Sequence, residues 1–169
     1  MNYLIEQATA EDAEKILALI KICGAETDNL SYGGEGLPVS VEQERRHLEA
    51  VQQSDKDIFY VVRAGQDIVG TASYSTFTKS RMAHRGELGL CIRKSAWGKG
   101  IGHALMEKML DFARNHAKVE LVSLEVRSDN KRAVQLYRDF GFQKIGTFEG
   151  FFKIDGQLVD FDLMELKLR

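Results

Sequence analysis

The chain has 169 residues, with 23 basic and 25 acidic side chains and a formal net charge of −2. Hydrophobic residues make up 44% and charged residues 28%, the profile of a single globular domain over residues 1–169 that buries ~70% of its extended surface without metal or disulfide staples. The charge balance argues against a nucleic-acid partner, and the absence of an apolar run of ~18 residues argues against a membrane span. Two cysteines and no basic-then-apolar leader lead to the expectation of a cytoplasmic protein.

The first ~8 residues alternate weakly and read as a strand. Thr9 then precedes apolar residues at Ala13, Ile16, Leu17 and Ile20, the i, i+3, i+4, i+7 spacing of a helix with Thr9 as its N-cap. Gly24 to Val39 has no period and reads as a loop. Ser40 with Gln43 has the capping-box form and opens a second helix. Asp57 to Ala64 and Ile68 to Phe77 are β-rich runs around Gly65-Gln66-Asp67, a hairpin. A third run, Gly86 to Ile92, extends this antiparallel sheet. Beyond it, Ile101, Leu105, Met109 and Phe112 share one helical face. Val119 to Val126 is a strand, Asn130 to Phe140 a helix, and Phe142 to Phe152 with Gln157 to Leu168 a hairpin turning at Asp155-Gly156. A helix between two strands favours a parallel crossover. The predicted fold is α/β: a mixed central sheet with helices on both faces.

The segment Leu88 to Gly102 carries the most chemistry. A strand ends, Gly98, Gly100 and Gly102 alternate, and a helix begins. Glycines let the backbone approach a ligand closely. Unpaired N–H groups at a helix start form a phosphate cradle, to which Arg93, Lys94 and Lys99 would add charge. It is not a P-loop, because Gly100 follows Lys99. It is also one residue out of register with a dinucleotide fingerprint, with His103 in the third glycine's place. A plain helix-capping loop is the alternative.

Here the sequence resembles the GCN5-related N-acetyltransferases (GNAT). Trp97-Gly98-Lys99-Gly100-Ile101-Gly102 fits that family's Arg/Gln-x-x-Gly-x-Gly/Ala pyrophosphate loop, departing at Trp97. The segment Asn130-Lys131-Arg132-Ala133-Val134-Gln135-Leu136-Tyr137-Arg138-Asp139-Phe140-Gly141-Phe142 is similar to its N-x-x-A-x-x-L-Y-x-x-x-G-F segment. The resemblance covers about Ile5 to Leu168 and implies a sheet splayed between the fourth and fifth strands, with acetyl-CoA in the gap and no metal. By the same resemblance, the cofactor's pyrophosphate meets the amides of Gly98 to Gly102. Its pantetheine arm pairs with Leu90, Cys91 and Ile92, while Asn130 and Ala133 lie against it. The Tyr137 hydroxyl faces the thioester sulfur, and Glu87 accepts the amine proton through water. Asn130 also reads as an N-cap, and Glu87 as a solvated strand carboxylate. Weaker similarity links the chain to the branch of ribosomal-protein N-terminal and amino-acid N-acetyltransferases.

Alternation along the fourth strand puts Glu87, Gly89 and Cys91 on one face and Leu88, Leu90 and Ile92 on the other, core face. Gly89 is a candidate bulge. Cys91 reads as a small buried residue rather than a nucleophile, and no histidine has metal spacing with either cysteine. Glu26, Asp28 and Glu35 in the loop after the first helix would suit a cationic amine. The expected reaction is direct acetyl transfer to a primary amine (a small molecule, an amino acid or a peptide N-terminus). An acyl-CoA sensor and a dinucleotide-binding enzyme are the alternatives. Homodimers are common in the family, and the hairpin carrying Phe148, Phe151 and Phe152 is a candidate surface for one.

Overall fold

A computed structural model describes residues 2–169. Four strands form an antiparallel meander: β1 (Leu4–Gln7), β2 (Asp57–Ala64), β3 (Asp67–Thr76) and β4 (Arg85–Ile92). Between β1 and β2 lie α1 (Ala13–Glu26), entered through a single 3₁₀ turn at Ala10–Asp12, and α2 (Val41–Gln52). The chain then alternates through α3 (Ile101–Phe112), β5 (Leu121–Arg127), α4 (Lys131–Asp139), β6 (Gln143–Ile154) and β7 (Gln157–Lys167). The seven strands are ordered β1-β2-β3-β4-β5-β7-β6, with β4 and β5 parallel and the other neighbours antiparallel.

Local chemistry sets most of these boundaries. The Ser40 hydroxyl accepts from the Gln43 N–H at 3.1 Å while Gln43 Oε1 accepts from the Ser40 N–H at 2.8 Å, the expected capping box. Asp155 and Gly156 both take positive φ, 49° and 79°, at the β6–β7 turn, as a tight hairpin requires. Helix α1 runs through Gly24 to Glu26, beyond the expected start of the loop. The reason is steric: a Cβ on Gly24 would lie 2.0 Å from the Gly33 carbonyl oxygen, so the glycine lets the returning loop touch the helix. Leu17 is only partly buried; Leu19 and Cys23 complete the buried face.

Helices cover both faces. Residues of α1 and α2 pack with Val61, Ile68 and Cys91 on one face. Helices α3 and α4 pack with Val62, Leu88, Leu124 and Val126 on the other. Cys91 is therefore also in a core, because the face opposite Leu88 is covered by α1. The last hairpin does not simply append itself to β5: its second strand, β7, inserts between β5 and β6 and leaves β6 at the edge.

Candidate active site

Strands β4 and β5 pair over only three positions, Arg85 with Leu121, Gly86 with Val122 and Glu87 with Ser123. Beyond Glu87 they diverge. Pairing of β4 with β3 runs unbroken from Gly86 to Ile92, so Gly89 is not a bulge. The Phe77 N–H bonds the Arg85 carbonyl and the Arg93 N–H bonds the Val69 carbonyl. Antiparallel alternation then turns the backbone groups of Leu88, Leu90 and Ile92 away from β3, toward the gap. The Ile92 carbonyl already accepts from Trp97 Nε1 at 2.7 Å. The Leu90 amide is the donor presented at mid-strand.

At the mouth of the gap, Gly98 and Gly100 have φ of 74° and 77°, left-handed values that a side chain would strain, and Gly100 is the N-cap residue of α3. The first amides of α3 are thereby presented outward with the positive end of its dipole. The Arg132 guanidinium, from the first turn of α4, lies 5.0 Å from the centre of the Trp97 ring. Asn130 caps α4 by accepting the Ala133 N–H at 3.3 Å.

Gap and loop form one cavity of about 1130 Å³. It gathers Glu87, Leu90, Cys91, Ile92, Trp97, Gly98, Gly100, Ile101, Gly102, Asn130, Ala133 and Tyr137. Arg93, Lys94 and Lys99 are not in its lining. The Lys94 N–H bonds the Glu26 carboxylate at 2.6 Å, and Lys99 Nζ bonds the Ser95 carbonyl at 2.8 Å. The basic side chains that do line it are Arg127, Arg132 and His103.

Tyr137 is 7% exposed, and burial pushes its phenol up to about 12. It is therefore a hydrogen-bond donor at any ordinary pH, and full proton transfer from it to a thiolate would run uphill.

Two residue groups were not read from the sequence as site residues. Glu125 lies two positions beyond Ser123, on the same face as Glu87. Burial, then the charge of Glu87, raises its carboxyl above the ordinary range. The signal was present: Ser123 and Glu125 alternate with Val122, Leu124 and Val126. The second group is aromatic, since Phe151, Phe152 and Phe161 line the same cavity. By contrast, Glu26, Asp28 and Glu35 contribute no side chain to the lining; Thr27, Asn29, Leu30 and Ser31 do. The Arg127 guanidinium is forked onto Asp129, at 2.6 and 3.3 Å, and reaches across to the Asp28 carbonyl at 3.2 Å.

The profile of the acetyltransferase (GNAT) family matches residues 26–142. The chain belongs to this family. Other GNAT proteins resemble it in sequence and in fold. The L-amino acid N-acetyltransferase AaaT of Escherichia coli (strain K12) is 29% identical over 94 residues, 56% of this chain and 58% of that protein. A GNAT-family acetyltransferase from Streptococcus pneumoniae superposes with a TM-score of 0.94 at 27% identity, over 99% of this chain and 100% of that one. A ribosomal-protein-alanine N-acetyltransferase from Brucella melitensis does so with a TM-score of 0.84 at 28% identity, over 98% and 99%. The chain spans less than two thirds of the length of these curated relatives, 58% of AaaT and 57% of the N-alpha-acetyltransferase RimI of Mycobacterium tuberculosis (strain ATCC 25618 / H37Rv).

Within this GNAT domain, the residues present fit an acyl-CoA. A left-handed glycine loop at a helix N-terminus suits a pyrophosphate. A strand edge with unpaired amide groups suits an extended, amide-bearing arm. Among the described residues, no helix is long and apolar enough to cross a membrane.

Proposed function

We propose that the protein transfers the acetyl group of acetyl-CoA directly to a primary amine, with both substrates bound at once. The observation that carries this reading is the continuity of one cavity. It runs from the glycine loop, past the free edge of β4, to Tyr137 and the two carboxylates.

The bound acetyl-CoA supplies an acyl group activated as a thioester. The amides of Gly98 to Gly102 and the Arg132 charge hold the diphosphate end. The Leu90 amide meets the negative charge that develops on the carbonyl oxygen. Tyr137 donates to the departing sulfur. Glu125, whose raised value lies closer to neutrality than an ordinary carboxyl, accepts the proton of the incoming ammonium, with Glu87 beside it keeping that proton affinity high. Holding amine and thioester together supplies much of the acceleration. The names of the relatives, an L-amino acid acetyltransferase and a ribosomal-protein-alanine acetyltransferase, support an α-amine or similar amine as acceptor. An α-amine at pKa ~7.8 is about one-tenth neutral at pH 7, far more than a lysine amine at ~10.4.

Thiol release from acetyl-CoA, driven by an added amine, tests the reaction. Intersecting initial-velocity lines are expected; parallel lines would indicate a covalent acyl-enzyme instead. Tyr137→Phe should lower kcat about 10²-fold while acetyl-CoA binds as before. An unchanged kcat removes Tyr137 from the mechanism.

A further inference from the structure

The cavity has two chemically different ends, and its inner end carries an aromatic wall. Glu125 and Arg127 share one face of β5, and Arg127 pairs directly with Phe161 on β7. Phe161 therefore lies diagonally beside Glu125, a spacing of ~7–8 Å between such strand positions. From Phe161 the rings continue outward. Phe152 stands 4.2 Å from Phe161 and Phe151 stands 5.0 Å from Phe152, centre to centre, and Phe148 stacks on Phe151 at 4.8 Å. The inner ring is 4% exposed, whereas Phe151 is 43% and Phe148 40% exposed. A row of rings leading from a carboxylate to solvent offers an apolar group attached to an amine a continuous surface.

The charges narrow the ligand further. Glu87 and Glu125 both face this end. The basic side chains of the lining are already engaged elsewhere: Arg127 on Asp129 and the Asp28 carbonyl, Arg132 over Trp97 at the glycine loop, and His103 3.5 Å from Asp139. A carboxylate next to the acceptor nitrogen would meet two carboxylates and, among the described residues, no lining cation that is not already engaged, an arrangement that selects against it.

Building on the acetyl-transfer reading, we infer that the acceptor is a primary amine bearing an aromatic group a few bonds from the nitrogen and no carboxylate beside it. A free arylalkylamine and a peptide N-terminus with an aromatic first residue share this chemistry. The ammonium lies at Glu125 and the ring lies along Phe161, Phe152 and Phe151. Phe151 is the specificity-determining contact nearest solvent. Stacking of this kind discriminates by about tenfold or more over an aliphatic chain.

The test is kcat/KM by thiol release, expressed per neutral amine, for phenethylamine, a phenylalanine-initiated tripeptide amide, phenylalanine, n-butylamine and putrescine. At least one of the first two should exceed each of the last three by tenfold or more, and the better of the pair identifies the source. Phe151→Ala, at an exposed position that leaves the core intact, should shrink the ratio of aromatic amine to n-butylamine about tenfold. Equal or better turnover of phenylalanine, n-butylamine or putrescine overturns the inference and leaves the acetyl-transfer reading standing. So does an aromatic-to-aliphatic ratio that Phe151→Ala leaves unmoved. Thiol release with none of the five, from a protein that binds acetyl-CoA, overturns the inference, while the acetyl-transfer reading falls only if a wider panel of amines also fails.

Discussion

Two groups of carboxylates in this molecule have opposite surroundings. At one end, Asp12 is 5% exposed and accepts from Arg63 Nη2 at 2.8 and 2.9 Å and from the Thr9 N–H at 2.9 Å. Glu6 bonds the same guanidinium, whose pKa is raised, chiefly by that bond. These groups tie β1, the entry to α1 and β2 together. At the other end, Glu87 and Glu125 face each other's charge across the gap, and among the described residues neither has an ion-pair partner. A carboxylate matched by a cation and several N–H groups is a staple. A half-buried carboxylate such as Glu125, left beside another carboxylate and without a cation, costs stability and gains proton affinity, the signature of a site that awaits a positive ligand.

The sharpest way to separate these roles is to neutralise one member of each. Glu125→Gln should lower kcat about 10²–10³-fold, the usual contribution of a positioned base, with acetyl-CoA affinity unchanged. The wild-type kcat should fall on the acid side at a pH above the ordinary carboxyl value of ~4.3, because Glu125 is raised, and the variant should lack that limb. Stability should move the other way. A carboxyl whose folded value exceeds its unfolded value destabilises the fold once ionised, so Glu125→Gln should raise Tm at neutral pH. That gain should vanish as pH falls through the ordinary carboxyl range. A lowered Tm at neutral pH would place Glu125 among the staples.

Asp12→Ala should behave in the opposite sense. Removing Asp12 takes away two hydrogen bonds to Arg63 and the one from the Thr9 N–H, leaving Glu6 alone on the guanidinium, and the expected loss is about 1.5–3 kcal/mol in a denaturant titration, with the KM for acetyl-CoA unmoved in whatever fraction remains folded.

The sequence made the two regions unequally legible. Strands β2 to β4 follow from β-rich runs and one glycine turn, and α2 from the Ser40–Gln43 box, because these signals act over a few residues. The glycine loop was legible for the same reason. What local signals do not carry is which strand lies beside which, so the insertion of β7 between β5 and β6 is absent from them. Local signals also do not reach distant contributors to the cavity: Arg132, over thirty positions beyond the loop, lines it and stands over Trp97. Glu125 was readable from alternation alone, but its partnership with Glu87 depends on the parallel register of β4 and β5.

The loop itself offers a smaller effect. Gly100 holds φ at 77°, and a side chain there costs ~1–2 kcal/mol of backbone strain. Gly100→Ala should therefore weaken acetyl-CoA binding about tenfold as the loop shifts to relieve that strain, measured by calorimetry, while leaving the pH dependence set by Glu125 in place.

The smallest expected effect belongs to Arg132. Trp97 stands where the family's loop usually has Arg or Gln, and its indole is occupied in bonding the Ile92 carbonyl. Its ring instead supports the guanidinium of Arg132, so the positive charge is supplied from α4 rather than from the loop. A partly exposed cation on an aromatic face is worth ~0.5–1 kcal/mol, and its attraction to a diphosphate is screened by salt. Arg132→Ala should thus raise the Kd of acetyl-CoA only about threefold to tenfold at low salt, and less at high salt. Arg132→Lys should recover part of the loss, since charge survives but planar stacking does not. If Kd shows no salt-dependent change in Arg132→Ala, the charge at the mouth contributes nothing and the amides of the glycine loop alone hold the diphosphate. The carboxylate pair at the opposite end of the cavity would then be its one charged determinant of binding.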